Sequence, residues 1–70
     1  MTGHQFIRKL RAIGRVENRE VRVDKARGKG SHVTVWFGTR YCVLPELSRE
    51  LKTGTLANVL RALGVERDRL

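Results

Sequence analysis

The stretch HVTVWF, residues 32–37, alternates. Val33, Val35 and Phe37 are apolar, and His32, Thr34 and Trp36 stand between them. Successive side chains of a strand point to opposite faces, so a strand here commits one set to a core and turns the other away from it. On both sides of this stretch the apolar period is helical instead. In TGHQFIRKLRAIGR, Phe6, Ile7, Leu10 and Ile13 fall on one helix face. In TGTLANVLRALGV, Leu56, Val59, Leu60 and Leu63 stand at i, i+3, i+4 and i+7. A chain with amphipathic helices at its ends and alternation in its middle is expected to fold as helices against a sheet.

Two further strands follow from the same pattern. Val21 and Val23 alternate with Arg22 and Asp24, while KARGKG cannot continue a strand and is expected as a mobile basic loop. FGTRY reads as a short hairpin connection with Gly38 in the turn, and RYCVL as the third strand, ended by Pro45. LPELSRELKTG reads as a loop. Thr2 is placed to cap the first helix and Gly14 to stop it; Thr53 or Thr55 is placed to cap the last, and Gly64 to stop it, with Val65 making the hydrophobic contact beyond. LRAIG at 10–14 and LRALG at 60–64 are two helices ending in the same kind of glycine stop, not a duplication, because the strands between them have no second copy. The expected fold is therefore α+β, in the order α-β-β-β-α. It has a three-stranded antiparallel sheet and both helices on the face that bears Val21, Val23, Val33, Val35 and Phe37. The other face is open. Residues 1–70 are too few for a second domain, so a single domain is expected.

Charge narrows the partners. Fifteen Lys and Arg face seven Asp and Glu, a formal +8. Residues 1–40 hold ten basic and three acidic side chains and residues 41–70 hold five and four, so +7 of the excess lies in the first part. Such a field draws polyanions, nucleic acid above all, although a basic surface can also serve solubility alone. His4, Arg8, Arg11 and Arg15 form a stripe opposite the apolar face of the first helix, read as solvated and also able to touch phosphates. No apolar run has the length of a membrane span and no signal-peptide core opens the chain, so a cytoplasmic location and no membrane partner are expected.

The chemistry-bearing residues cluster in GKGSH, residues 28–32. Gly28 and Gly30 let a backbone approach a phosphate closely, Arg27 and Lys29 supply positive charge, and the Ser31 hydroxyl can donate to a phosphate oxygen. His32 follows at once, and histidine alone has an unperturbed pKa near working pH, as proton transfer needs. A hairpin loop with a passenger histidine would have the same composition. On the open face with His32 lies Trp36. It can stack on a nucleobase or anchor a protein, or simply be buried at a sheet edge.

Other chemistries lack their residues. Two distant histidines and one cysteine make no zinc site, Glu46 and Glu50 have no partner acid for magnesium, and RGKGSH lacks the ending of a phosphate-binding P-loop. No metal and no cofactor is expected. Cys42 in YCVL reads as a small buried hydrophobe.

GKGSH followed by a strand, a short turn, another strand, a proline and then ELKTGTLANVLRALGV resembles the HicA-type mRNA interferase toxins. In that family a helix of the kind seen here as QFIRKLRAIG precedes a KGSH segment, and a helix like LKTGTLANVLRALG closes the chain. The resemblance spans nearly all of the sequence. It implies a fold similar to a double-stranded-RNA-binding domain, ribonuclease activity on mRNA with His32 as the key residue, and a HicB-type antitoxin that covers the active site. Two features depart from the family pattern. The segment between the first helix and GSH is longer, and Glu46 follows Pro45 where family members often carry a histidine soon after the proline. No second acid or base is assigned. The expected RNA contacts are Arg27, Lys29, Gly30, Ser31 and Trp36. A non-catalytic RNA-binding module on the same fold is the alternative, and a protein-interaction domain anchored by Trp36 is a third class.

Overall fold

The computed structural model describes residues 1–25 and 32–70. Its elements are α1 (Gly3–Glu17), β1 (Val21–Lys25), β2 (Val33–Phe37), β3 (Arg40–Leu44), α2 (Thr53–Leu63) and a final 3-10 turn, Arg67–Arg69. The strands form one antiparallel sheet in the order β1-β2-β3, with β2 in the centre. Both helices cover one face of it, giving the α-β-β-β-α order and two layers around one core.

The core lies where the periodicities meet. Phe6 and Leu10 of α1, Val35 and Phe37 of β2, Leu44 of β3 and Leu63 of α2 are the largest fully buried side chains. Val33, Val35 and Phe37 are all buried, and Cys42 and Leu44 of β3 extend the same face. Val21 and Val23 are half-buried because β1 is an edge strand at the rim of the core. Across the sheet Val23 stands opposite Val35, which stands opposite Cys42, so one row of inward side chains crosses all the strands. The β2–β3 hairpin closes through Gly38 and Thr39, and Gly38 takes φ +63, a conformation that costs glycine nothing.

The helix ends depart from two sequence expectations. Thr2 does cap α1. Its hydroxyl accepts from the Gln5 N–H at 3.2 Å, and the Gln5 side chain accepts from the Thr2 N–H at 2.9 Å, a reciprocal capping box. Gly14, however, does not stop the helix. α1 continues to Glu17 and ends at Asn18, which adopts the left-handed conformation with φ 58. Gly14 is buried mid-helix because the chain folds back against it. A Cβ there would stand 2.6 Å from the Arg19 carbonyl oxygen and 3.2 Å from the Val21 side chain. At α2, neither Thr53 nor Thr55 caps. The N-cap is Lys52, which makes no side-chain bond, and Thr53 is already helical. The other end follows the expectation: Gly64 has φ 71, the Val65 N–H donates to the Leu60 carbonyl at 3.0 Å, and Val65 is buried.

The segment read as a plain loop before α2 is part of the core. Leu47 and Leu51 are buried. The N–H groups of Gly3 and His4 donate to the carbonyls of Arg49 and Leu47 at 3.3 and 3.1 Å, and the Leu51 N–H donates to the Met1 carbonyl at 2.8 Å. The first turn of a helix has N–H groups with no partner inside the helix. Here the connection to α2 supplies the acceptors, and so ties the two helices together at that end.

Gly14 and Gly54 give opposite expectations for the same substitution. Gly14→Ala should destabilise the fold by about 1–3 kcal/mol, because the new methyl meets backbone that cannot move aside. Around Gly54, in the first turn of α2, nothing lies within 4 Å of an added Cβ. Gly54→Ala should stabilise by about 0.5–1 kcal/mol through helix propensity. Urea unfolding midpoints of the two variants check both signs.

Candidate active site

The alternation that buries Val33 turns the neighbouring positions outward. His32 immediately precedes β2 and is exposed. It lies at the end of the sheet where β1 finishes and β3 gives way to Pro45, since Lys25 pairs with Val33 and Val33 pairs with Leu44. The Gly38–Thr39 turn is at the other end. Lys25 and Val33 are register partners, so the last residue of β1 and the first of β2 stand beside each other at the His32 end. Arg27, Lys29, Gly30 and Ser31, and the loop expected for KARGKG, lie outside the described residues. Lys25 itself continues β1 rather than opening that loop.

Two rows cross the open face. In the first, Asp24 on β1, Thr34 on β2 and Val43 on β3 are register partners; in the second, Arg22, Trp36 and Tyr41 are. Thr34, expected to be exposed, is half-buried between its neighbours in the central strand. Trp36 is half-buried too, and by particular groups. Its ring centroid is 4.9 Å from that of Tyr41 with the planes tilted by 37°, and the Arg22 guanidinium lies 5.3 Å from its centroid. Tyr41 and Arg22 were not singled out in the sequence. The signal for Tyr41 was present: with Cys42 and Leu44 facing in, Tyr41 and Val43 must face out, and a two-residue hairpin turn sets Tyr41 opposite Trp36.

The charge around this face is uneven. Of the side chains in the three strands, Asp24 is the one carboxylate, against Arg22, Lys25 and Arg40. Among the described residues, several carboxylates are tied up elsewhere. Glu17 pairs with Arg19 at 3.4 Å and also with Arg69, Glu46 pairs with Arg49 at 3.2 Å, and Glu50 pairs with the chain's amino terminus. The helical stripe of His4, Arg8, Arg11 and Arg15 is exposed along its whole length.

Cys42 is buried on the helix side of the sheet, away from His32. Burial pushes its thiol up to about 11, which removes it as a nucleophile. Among the described residues, no three His, Cys, Asp or Glu side chains gather where they could hold a metal ion, and no helix is long and apolar enough to cross a membrane. Compared with family models, with curated proteins and with solved structures, the chain matches none.

The thiol has a testable consequence. The folded chain holds the Cys42 proton more tightly than the unfolded chain, whose thiol titrates near its ordinary value of 9.0. Its contribution to stability is therefore complete below that value and declines as pH rises towards 11. Folded protein at mildly alkaline pH should leave a thiol reagent unconsumed, and denatured protein should react fully. Cys42→Val should flatten the alkaline limb of the stability curve by comparison with the parent.

Proposed function

We propose that this chain is a metal-independent endoribonuclease of the HicA toxin type, acting on mRNA in the cytoplasm and held inactive by a HicB-type antitoxin. The observation that carries the reading is the position of His32: exposed, at the threshold of the open sheet face, and the last residue of the basic GKGSH segment in an α-β-β-β-α domain. That element order, with both helices on one side, is the one expected from the resemblance to HicA-type toxins, which implies a fold similar to a double-stranded-RNA-binding domain.

The chemistry asks little of the protein. An RNA 2′-hydroxyl attacks the adjacent phosphorus, forming the new O–P bond while the bond to the 5′ oxygen breaks. The hydroxyl proton must leave, the phosphate charge must be stabilised, and the departing 5′ oxygen must take a proton. His32 serves one of these proton transfers, worth about 10²–10⁴-fold in rate. Arg27, Lys29 and the Ser31 hydroxyl hold the phosphate, with Gly30 allowing its close approach. The products are a 2′,3′-cyclic phosphate and a 5′-hydroxyl, and the required 2′-hydroxyl makes RNA the substrate. Among the described residues no three His, Cys, Asp or Glu side chains gather, and that donor set suits a reaction that uses no metal ion.

A non-catalytic RNA-binding module is the second reading. The row of Arg22, Trp36 and Tyr41 favours it, since those residues can bind RNA whether or not His32 moves a proton.

His32→Ala should abolish RNA cleavage and toxicity while leaving stability within about 0.5 kcal/mol of the parent, since the side chain is exposed. Parent cleavage should persist in excess chelator and leave cyclic phosphate ends. An alanine variant that cuts as fast as the parent makes His32 a passenger and the binding module the correct reading. Separately, RNA binding should weaken steeply with salt, and replacing Arg27 and Lys29 by alanine should lower the slope by about 2 without altering sequence preference. Co-expression with the product of the neighbouring reading frame should restore growth; equal growth with and without it removes the antitoxin from the proposal.

A further inference from the structure

The open face has a feature that proton transfer does not use. Trp36 and Tyr41 are paired on the side of the sheet away from the core, and Arg22 lies over the indole from the β1 side. Tyr41 is 55% exposed and Val43 beside it 50% exposed. Among the described residues, the groups recorded against the indole, Arg22 and Tyr41, come from the neighbouring strands. Trp36 is four residues along from His32 in sequence. At a strand's rise this is roughly 13 Å, or about four steps of a stacked nucleic-acid strand.

We propose that Trp36 and Tyr41 form a base-stacking platform that takes an unpaired nucleobase of the RNA strand whose backbone reaches His32, with Arg22 fixing the indole and offering its outer N–H groups to a phosphate. The identity of the polymer rests on the ribonuclease reading. The platform selects single-stranded RNA, because within a duplex both faces of each base are already covered by neighbouring bases. Stacking accepts every base, so the platform sets the position of the strand and leaves its sequence free. Charge favours nucleic acid over a protein occupant. The chain carries +8, and the strands offer a single carboxylate, Asp24. An aromatic face flanked by a guanidinium is the composition that base stacking uses.

Trp36 is the one tryptophan, so its emission reports on the platform. Three ten-unit probes separate the contributions: a 2′-O-methyl oligoadenylate, which cannot be cut through its 2′ oxygen; its duplex with 2′-O-methyl oligouridylate; and an abasic ribose-phosphate chain of the same length. The single strand should quench the emission and bind about tenfold more tightly than the abasic chain, the scale of one stacked base. The duplex should leave the emission unchanged. Tyr41→Ala should lose that advantage and Tyr41→Phe should keep it. In cleavage, Tyr41→Ala should raise KM and leave kcat near the parent's. Equal affinity for all three probes without a change in emission, or an emission change produced only by a protein partner, overturns the platform. The two proposals fail separately. A parent that cuts RNA but shows no base-dependent binding retains the nuclease and loses the platform. Base-dependent binding that needs Tyr41, in a protein that cuts no RNA, retains the platform and loses the nuclease.

Discussion

The burial of Val33, Val35 and Phe37 in the central strand holds the rest of the molecule in place. Those three side chains are buried between the sheet and the helices, and each fully buried side chain of this kind is worth about 1.5–3 kcal/mol. A slip of one residue would expose all three and bring Thr34 and Trp36 inside. The register of β2 is thus a core property, and the outward direction of Trp36 follows from it. So does the location of Tyr41, which pairs with Trp36 only when Val35 pairs with Cys42. The open face is assembled by the packing on the opposite side of the sheet.

A second constraint joins the start of α1 to the connection before α2. The connection between β3 and α2 lends its carbonyls to the first turn of α1 and its leucines to the core. Space is tight there: a Cβ on Gly3 would stand 2.9 Å from the Leu47 backbone. In so small a domain each such contact is a large share of the total, since net stability is a small difference between large opposing terms. The helix layer is consequently held together at that end, and the open face carries only the cross-strand contacts of its own strands.

In the proposed reading the division has a use: one side of the sheet makes the fold and the other meets the RNA. An exposed residue there, such as His32, can therefore change with little effect on stability. The proposed roles of His32 and of the Trp36–Tyr41 pair draw on this, with proton transfer at one end of β2 and strand positioning further along it. In that reading charge would supply the attraction for RNA, since residues 1–40 carry +7 of the excess.

The sequence by itself determined the element order, the inward and outward sets of β2, the buried faces of both helices, the hairpin at Gly38 and the stop at Gly64. These are short-range consequences of periodicity and of glycine's freedom at positive φ, and so can be read locally. Tertiary structure decided what depends on approach between distant segments. Gly14 has the look of a helix stop, yet it is present because the chain after Asn18 returns within 2.6 Å of where a side chain would begin. Thr53 and Thr55 have capping chemistry, but the cap fell to Lys52 because the helix starts at Thr53, one residue before a Thr53 cap would begin it and three before a Thr55 cap would. Leu47 and Leu51 carry no periodic signal in so short a stretch, and only the docking of α1 reveals them as core. Tyr41 became part of the candidate site through cross-strand pairing, a relation between two segments that neither contains alone.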